Sequence, residues 1–150
     1  SSVYNGITET YTPVSSSLLS SGVVAIYSNS GAFAALKSDG SVVTWGDAYY
    51  GGDSSVYTYN MFNGNETFTS VASNLSAGVV SMYSTGSAFA ALKYDGSVVT
   101  WGDSTQGGES SVYNSNDFTY TSVASSLSCA YRIRSQISLT APKPPGSCVV

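Results

Sequence analysis

The chain repeats itself. Shifted by 56 positions, Leu19 to Val56 aligns with Leu75 to Val112, and 27 of those 38 pairs are identical. Within 150 residues, a repeat this close organises the whole chain, and chance does not produce it. The first copy reads LSSGVVAIYSNSGAFAALKSDGSVVTWGDAYYGGDSSV and the second LSAGVVSMYSTGSAFAALKYDGSVVTWGDSTQGGESSV. A third copy opens at Leu127 and degenerates; APKPPGSCVV from Ala141 lies over ALKYDGSVVT from Ala91 and stops before the WGD segment. SSVYNGITETYTPV at Ser1 matches SSVYTYNMFNGNETFTSV at Ser54 and SSVYNSNDFTYTSV at Ser110. The expected organisation is one repeat domain over 1–150, with a repeat tail at 1–18, repeats at 19–74 and 75–126, and a degenerate half repeat at 127–150.

Local signals are for strands. GVVAIYS and SVVTWG are rich in β-branched and aromatic residues, AFAALK lies between them, and Asp39-Gly40 or Asp95-Gly96 supplies a tight turn. Tyr57 to Val71 reads as a second hairpin turning near Asn63-Gly64, and Asn5-Gly6 plays that part at the N-terminus. SVASNLSAG before Gly78 offers one helical turn, and no stretch carries the 3.6 period of a longer helix. Tyr131, Ile133, Ile137 and Leu139 alternate with Arg132, Arg134, Gln136 and Thr140, the pattern of a strand with one wet face. The fold class is all-β: tandem antiparallel hairpins of about 56 residues each, propeller-blade-like or a three-unit domain completed by terminal strands.

Composition narrows the function. Charged residues are 9% of the chain and five are basic, against nine acidic, so binding to nucleic acid through counterion release has little to act on. Membrane insertion is disfavoured too, since no apolar run reaches the length of a span. No signal-peptide pattern opens at Ser1, as for a soluble or already processed chain. Histidine is absent, which removes imidazole bases, Ser-His-Asp arrangements and His-containing zinc sites. Ser and Thr number 44 and give a polar but uncharged surface. The expectation is a non-enzymatic chain with no cofactor and no metal.

The pattern A-L-K-x-D-G-x-V-x-x-W-G-D followed by a G-G turn, at Ala35 to Asp47 and Ala91 to Asp103, resembles the RCC1-type repeat. That resemblance implies that an apolar hairpin and a W-G loop build one blade of a propeller. It covers both full copies. GGDSS and GGESS stand where that family has G-Q-L-G, and two complete units fall short of the four blades a propeller needs. Chromatin binding and nucleotide exchange, known for some relatives, do not carry over.

Half-repeats at both ends leave strand edges to be satisfied. Either residues 1–18 pair with 127–150 of the same chain, or the N-terminal strand docks on a neighbour, as in donor-strand pili, and a filament results. Val3, Tyr4, Ile7 and Tyr11 make the N-terminal segment a candidate assembly strand.

Other candidates are fewer. Cys129 and Cys148 both lie in the degenerate copy where the second has Ala77 and Val98, which points to a disulfide and an extracellular location. Two buried thiols are the plain alternative. Asn65-Glu66-Thr67 and Asn74-Leu75-Ser76 are N-glycosylation sequons, Asn65 on an expected loop tip and Asn74 beside a core Leu. Asp47 and Asp53, repeated as Asp103 and Glu109, bracket the Gly-rich turn; their duplication suits a turn scaffold better than an acid-base pair. Trp45 and Trp101, with Asp47 and Asp103, are candidate ligand-facing residues of a multivalent lectin, against a Trp that packs its own hairpin. Lys37 and Lys93 are expected at wet hairpin ends, and Arg132, Arg134 and Lys143 concentrate positive charge near the C-terminus. The function expected is an extracellular structural subunit partnered by copies of itself and assembling through its terminal strands. A carbohydrate- or protein-binding module, adhesin-like, and a fragment of a longer RCC1-like propeller are the alternatives.

Overall fold

The computed structural model of the chain describes residues 2–5, 10–14, 16–114 and 119–122. Within them the chain is built of strands. Hairpin β1 (Ser2–Asn5) and β2 (Thr10–Pro13) leads through a helical turn, α1 (Ser16–Leu19), into a meander of β3 (Val23–Ser28), β4 (Ala32–Lys37) and β5 (Val42–Asp47). The succession recurs as hairpin β6 (Ser55–Asn60) and β7 (Asn65–Ser70), a 3-10 turn at Ala72–Leu75, and meander β8 (Val79–Ser84), β9 (Ala88–Lys93) and β10 (Val98–Asp103). Hairpin β11 (Ser111–Asn114) and β12 (Thr119–Ser122) begins it once more.

The expected turn chemistry is present. Gly40 and Gly96 carry φ of +78° and +82°. Asp39 Oδ1 accepts from Ser41 N at 2.9 Å and Ser41 Oγ at 2.6 Å, and Asp95 holds Ser97 at the same two distances. These bonds stabilise the carboxylates and hold both Asp side chains below the ordinary range.

Two five-stranded sheets follow, ordered β2-β1-β5-β4-β3 and β7-β6-β10-β9-β8. Both are mixed: β1 runs parallel to β5, with Val3 beside Gly46, and β6 runs parallel to β10, with Val56 beside Gly102. The chain leaves β5 through Gly51-Gly52 and crosses to the neighbouring sheet, so the hairpin after each WGD joins the next meander. Each hydrogen-bonded sheet therefore starts at an SSVY hairpin, out of phase with repeats counted from Leu19 and Leu75.

That topology settles where β1 finds its partners. It lies between β2 and β5 of its own chain, so a strand expected to complete another unit is already paired on both sides. Tyr4 and Tyr11 stand opposite each other in the β1–β2 ladder. Ile7, residues 127–150 and the alternating strand from Tyr131 lie outside the described residues.

AFAALK is apolar at every position before its lysine because both of its faces can be covered. Ala32, Ala34 and Leu36 form an alanine face on the first sheet; Phe33, Ala35 and Trp45 form a tryptophan face on its other side. In the second sheet the alanine face is Ala88, Ala90 and Leu92, and the tryptophan face is Phe89, Ala91 and Trp101. The core is the alanine face of the first sheet against the tryptophan face of the second. Ala32, Ala34 and Leu36 pack with Met82, Phe89, Ala91, Val99 and Trp101, and Tyr27 and Tyr50 close the margin. Backbone groups join the sheets as well: Val79 N donates to Gly40 O at 2.9 Å and Ser30 N to Gly86 O at 3.1 Å.

Candidate functional site

Each residue of the W-G-D segment has its own task. Trp101 follows the alternation of β10 onto the tryptophan face, where it stacks on Phe89 with centroids 5.2 Å apart. It is 0% exposed, and its Nε1 donates at 3.0 Å to the carbonyl of Gly51, in the crossing between the two sheets. A buried indole N–H needs such an acceptor. Gly102 comes next with φ +104°, and a Cβ there would meet Ser87 O at 2.6 Å; Gly46 repeats this with φ +116° and Gly31 O at 2.5 Å. No other residue fits so close an approach without a backbone shift. Asp103 then accepts from Thr105 N at 2.8 Å and Thr105 Oγ1 at 2.7 Å, and Asp47 from Tyr49 N at 2.9 Å, capping the turns Ser104–Gln106 and Ala48–Tyr50.

These placements bear on both readings of the segment. Trp101 shows no ring face to a ligand, because the first sheet covers it. The carboxylates of Asp47 and Asp103 are engaged by the turns they cap, so they act as turn scaffold. Asp53 accepts from Ser55 N at 3.1 Å and also from Ser55 Oγ; burial pushes its carboxyl above the ordinary range against the opposing pull of those bonds. Among the described residues no group of three His, Cys, Asp or Glu side chains is placed to hold a metal. No helix there is long and apolar enough to cross a membrane.

Trp45 differs from Trp101 in its surroundings. It stacks on Phe33 at 5.4 Å with planes 13° apart, yet Phe33 is 45% exposed and Ile26, across the ladder from Ala35, is 61% exposed. No hydrogen-bond partner of Trp45 Nε1 occurs among the described residues. The tryptophan face of the first sheet is thus an open copy of the one buried in the second. The alanine face of the second sheet is its complement: Tyr83, opposite Ala90, is 65% exposed, whereas Tyr27, the same position in the first sheet, packs on the core. A shallow depression lies there between Tyr83, Ala88, Ala90 and Gly107. The repeat alone could not distinguish an open face from a covered one, since both carry the same residues.

A second cluster went unread in the sequence because its members lie on three elements. Tyr49 and Tyr57 meet edge to face at 4.7 Å, Phe68 closes on both, and the Tyr49 and Tyr57 hydroxyls donate to Glu66 at 3.1 and 3.3 Å. Desolvation, with the Glu66 charge beside it, pushes the Tyr57 phenol up to about 12.

Asn65 is exposed, at the start of β7 opposite Asn60 and one residue past the turn. Asn74 is exposed on the 3-10 turn beside buried Leu75; its carbonyl accepts from Lys93 Nζ at 2.8 Å. Lys93 thus reaches an exposed neighbouring turn, and Lys37 and Lys93 are both half-buried beside exposed turn residues. Cys129, Cys148, Arg132, Arg134 and Lys143 lie outside the described residues. No protein-family model, curated protein or solved structure matches the chain, so the likeness to RCC1-type repeats rests on the residues quoted for it.

Proposed function

We propose that this protein is a non-enzymatic structural subunit, acting outside the cell, whose blade-like repeat units stack face to face and whose stacking continues from one copy to the next. The observation that carries the reading is the sheet-on-sheet contact. An alanine face covers a tryptophan face within the chain, while one tryptophan face carries Ile26 and Phe33 exposed. Exposed apolar area of this kind marks an interaction surface. Low charge supports the reading, since 9% charged residues leave little repulsion between copies. The terminal strand is not needed as the linker, because β1 is used within its own sheet.

Sedimentation velocity over a wide concentration range, with negative-stain microscopy of the same samples, tests this. The expected result is mass that grows with concentration and regular rings or fibres. A 15.5 kDa particle at every concentration overturns it.

A second reading is favoured by Trp45 itself. Its ring, stacked on Phe33 beside exposed apolar surface, is a platform on which a sugar ring can stack. Glycan binding that disappears in Trp45→Ala while the wild-type protein stays monomeric would support that reading over assembly.

A further inference from the structure

We infer that Asn65 carries an N-linked glycan and that the exposed ring of Phe62 is the seat of its first sugar. The inference rests on the extracellular part of the proposed function and is independent of self-assembly.

The hairpin that holds Asn65 differs from its two relatives. It reads SSVYTYNMFNGNETFTSV from Ser54, four residues longer than SSVYNGITETYTPV at Ser1 or SSVYNSNDFTYTSV at Ser110. The extra length makes β6 and β7 six residues each, against four in β1, β2, β11 and β12, and carries the turn past the pairing of β6 with β10, which ends at Tyr57. Met61 and Phe62 stand in that turn, Met61 exposed and Phe62 99% exposed. A ring left wholly in water contributes nothing to the core, so its retention at this tip calls for a partner from outside the fold. The same hairpin contains Asn65-Glu66-Thr67, and neither shorter hairpin has an Asn-X-Ser/Thr triplet.

The local geometry suits a sugar at Asn65. Asn65 lies opposite Asn60 and Thr67 opposite Thr58, so alternation puts these four on one face of the hairpin and Tyr57, Glu66 and Phe68 on the other. All four are exposed. Among the described residues no hydrogen bond engages the Asn65 carboxamide or the Thr67 hydroxyl; the Asn65 backbone N–H alone is used, donating to Asn63 Oδ1 at 3.0 Å. Two more bonds fix the turn: Gly64 N donates to Asn60 O at 2.8 Å and Phe62 N to Asn60 Oδ1 at 2.9 Å. Phe62 is thus held three positions before Asn65. Between them a Cβ added at Gly64 would meet nothing within 4 Å, which leaves room for a pyranose on Asn65 to lay its C–H face against the ring.

The other sequon lacks each of these features. Its middle residue, Leu75, is buried in the core. Ser73 Oγ donates to Asn74 Oδ1 at 3.2 Å, and the Ser76 hydroxyl is spent on Ser73 O at 2.8 Å. Val71, three positions before Asn74, offers no ring. Among the described residues β7 is also the edge of its sheet, so a glycan there shields an edge strand from pairing with another chain.

The donor is a lipid-pyrophosphate-linked oligosaccharide of the secretory route. The bond from Asn65 Nδ2 to the anomeric carbon forms as the bond from that carbon to the pyrophosphate oxygen breaks; the amide gives one proton to a base of the transferase, and the lipid pyrophosphate leaves.

The test secretes the full chain from a eukaryotic host and maps occupied sites by mass spectrometry after an amidase has removed the glycans, which leaves Asp at each occupied Asn. Asn65 is expected to be occupied in most molecules and Asn74 several-fold less often. Asn65 unoccupied, or occupied no more often than Asn74, overturns the inference; because the host imposes secretion, that failure leaves the proposed function standing. Fractionation of the source organism tests the location separately, and a chain kept in the cytosol removes the premise whatever the secreted protein carries. Phe62 is isolated by a cycle of melting temperatures, with and without the glycan, in the wild type and in Phe62→Ala, whose exposed position preserves the fold. The glycan should raise the wild-type value by about 2–4 °C and that of Phe62→Ala by less than half as much. Equal shifts would mean that the sugar does not seat on Phe62.

Discussion

Trp45 and Trp101 occupy equivalent places in the repeat and stack on equivalent phenylalanines, Phe33 and Phe89, but among the described residues only Trp101 is sealed by another sheet and bonded to a carbonyl. The difference is one of context, so their substitution has unequal costs. Trp101→Ala removes a fully buried ring and its hydrogen bond and should lower unfolding free energy by about 3–5 kcal/mol. Trp45→Ala, at low concentration, should cost about 1 kcal/mol or less, in the range of partly exposed sites. Urea unfolding of both variants checks this; equal losses would mean that Trp45 is covered in the isolated chain. The W-G-D motif was legible as a motif because each of its residues answers a separate local demand. Which of its two copies faced solvent was not, since that depends on what stands opposite.

At the scale of elements, the hairpins could be read from the sequence. Asp-Gly turns, β-branched runs and the all-apolar AFAALK strand each act locally, and the structure places a strand wherever they predict one among the described residues. Pairing between distant strands was less legible. The parallel ladders β1–β5 and β6–β10 join segments about 43 to 46 positions apart by the registers of Val3 with Gly46 and Val56 with Gly102, and no turn signal announces such a pair. The cluster of Tyr49, Tyr57, Phe68 and Glu66 was hidden for the same reason. It has a pH signature. The unfolded chain ionises Tyr57 near 10, but the folded one holds the phenol neutral up to about 12. The folded pKa is raised, so the stabilising contribution is complete below pH 10 and is lost as pH climbs through about 12. Thermal melts should show an alkaline loss of stability that is smaller in Tyr57→Phe. An identical alkaline profile for the two proteins would show that Tyr57 is not held in this way.

Over the whole molecule, the repeat gives both sheets the same two faces, and on the tryptophan face of the first sheet Ile26 and Phe33 are exposed. The sequence directs attention to strand edges at the chain termini; β1 lies between β2 and β5 of its own chain, and the cross-over at Gly51-Gly52 sets the sheets out of phase with the repeat. Under the proposed assembly, low charge is the absence of a barrier to stacking. The most direct test is the indole N–H signal of Trp45 in proton-nitrogen NMR spectra recorded at increasing protein concentration. The account predicts that this signal moves toward the position of a hydrogen-bonded indole and gains protection from solvent exchange, approaching the behaviour that Trp101 shows at every concentration. A Trp45 signal that keeps its dilute position and its fast exchange while the protein is concentrated would contradict it.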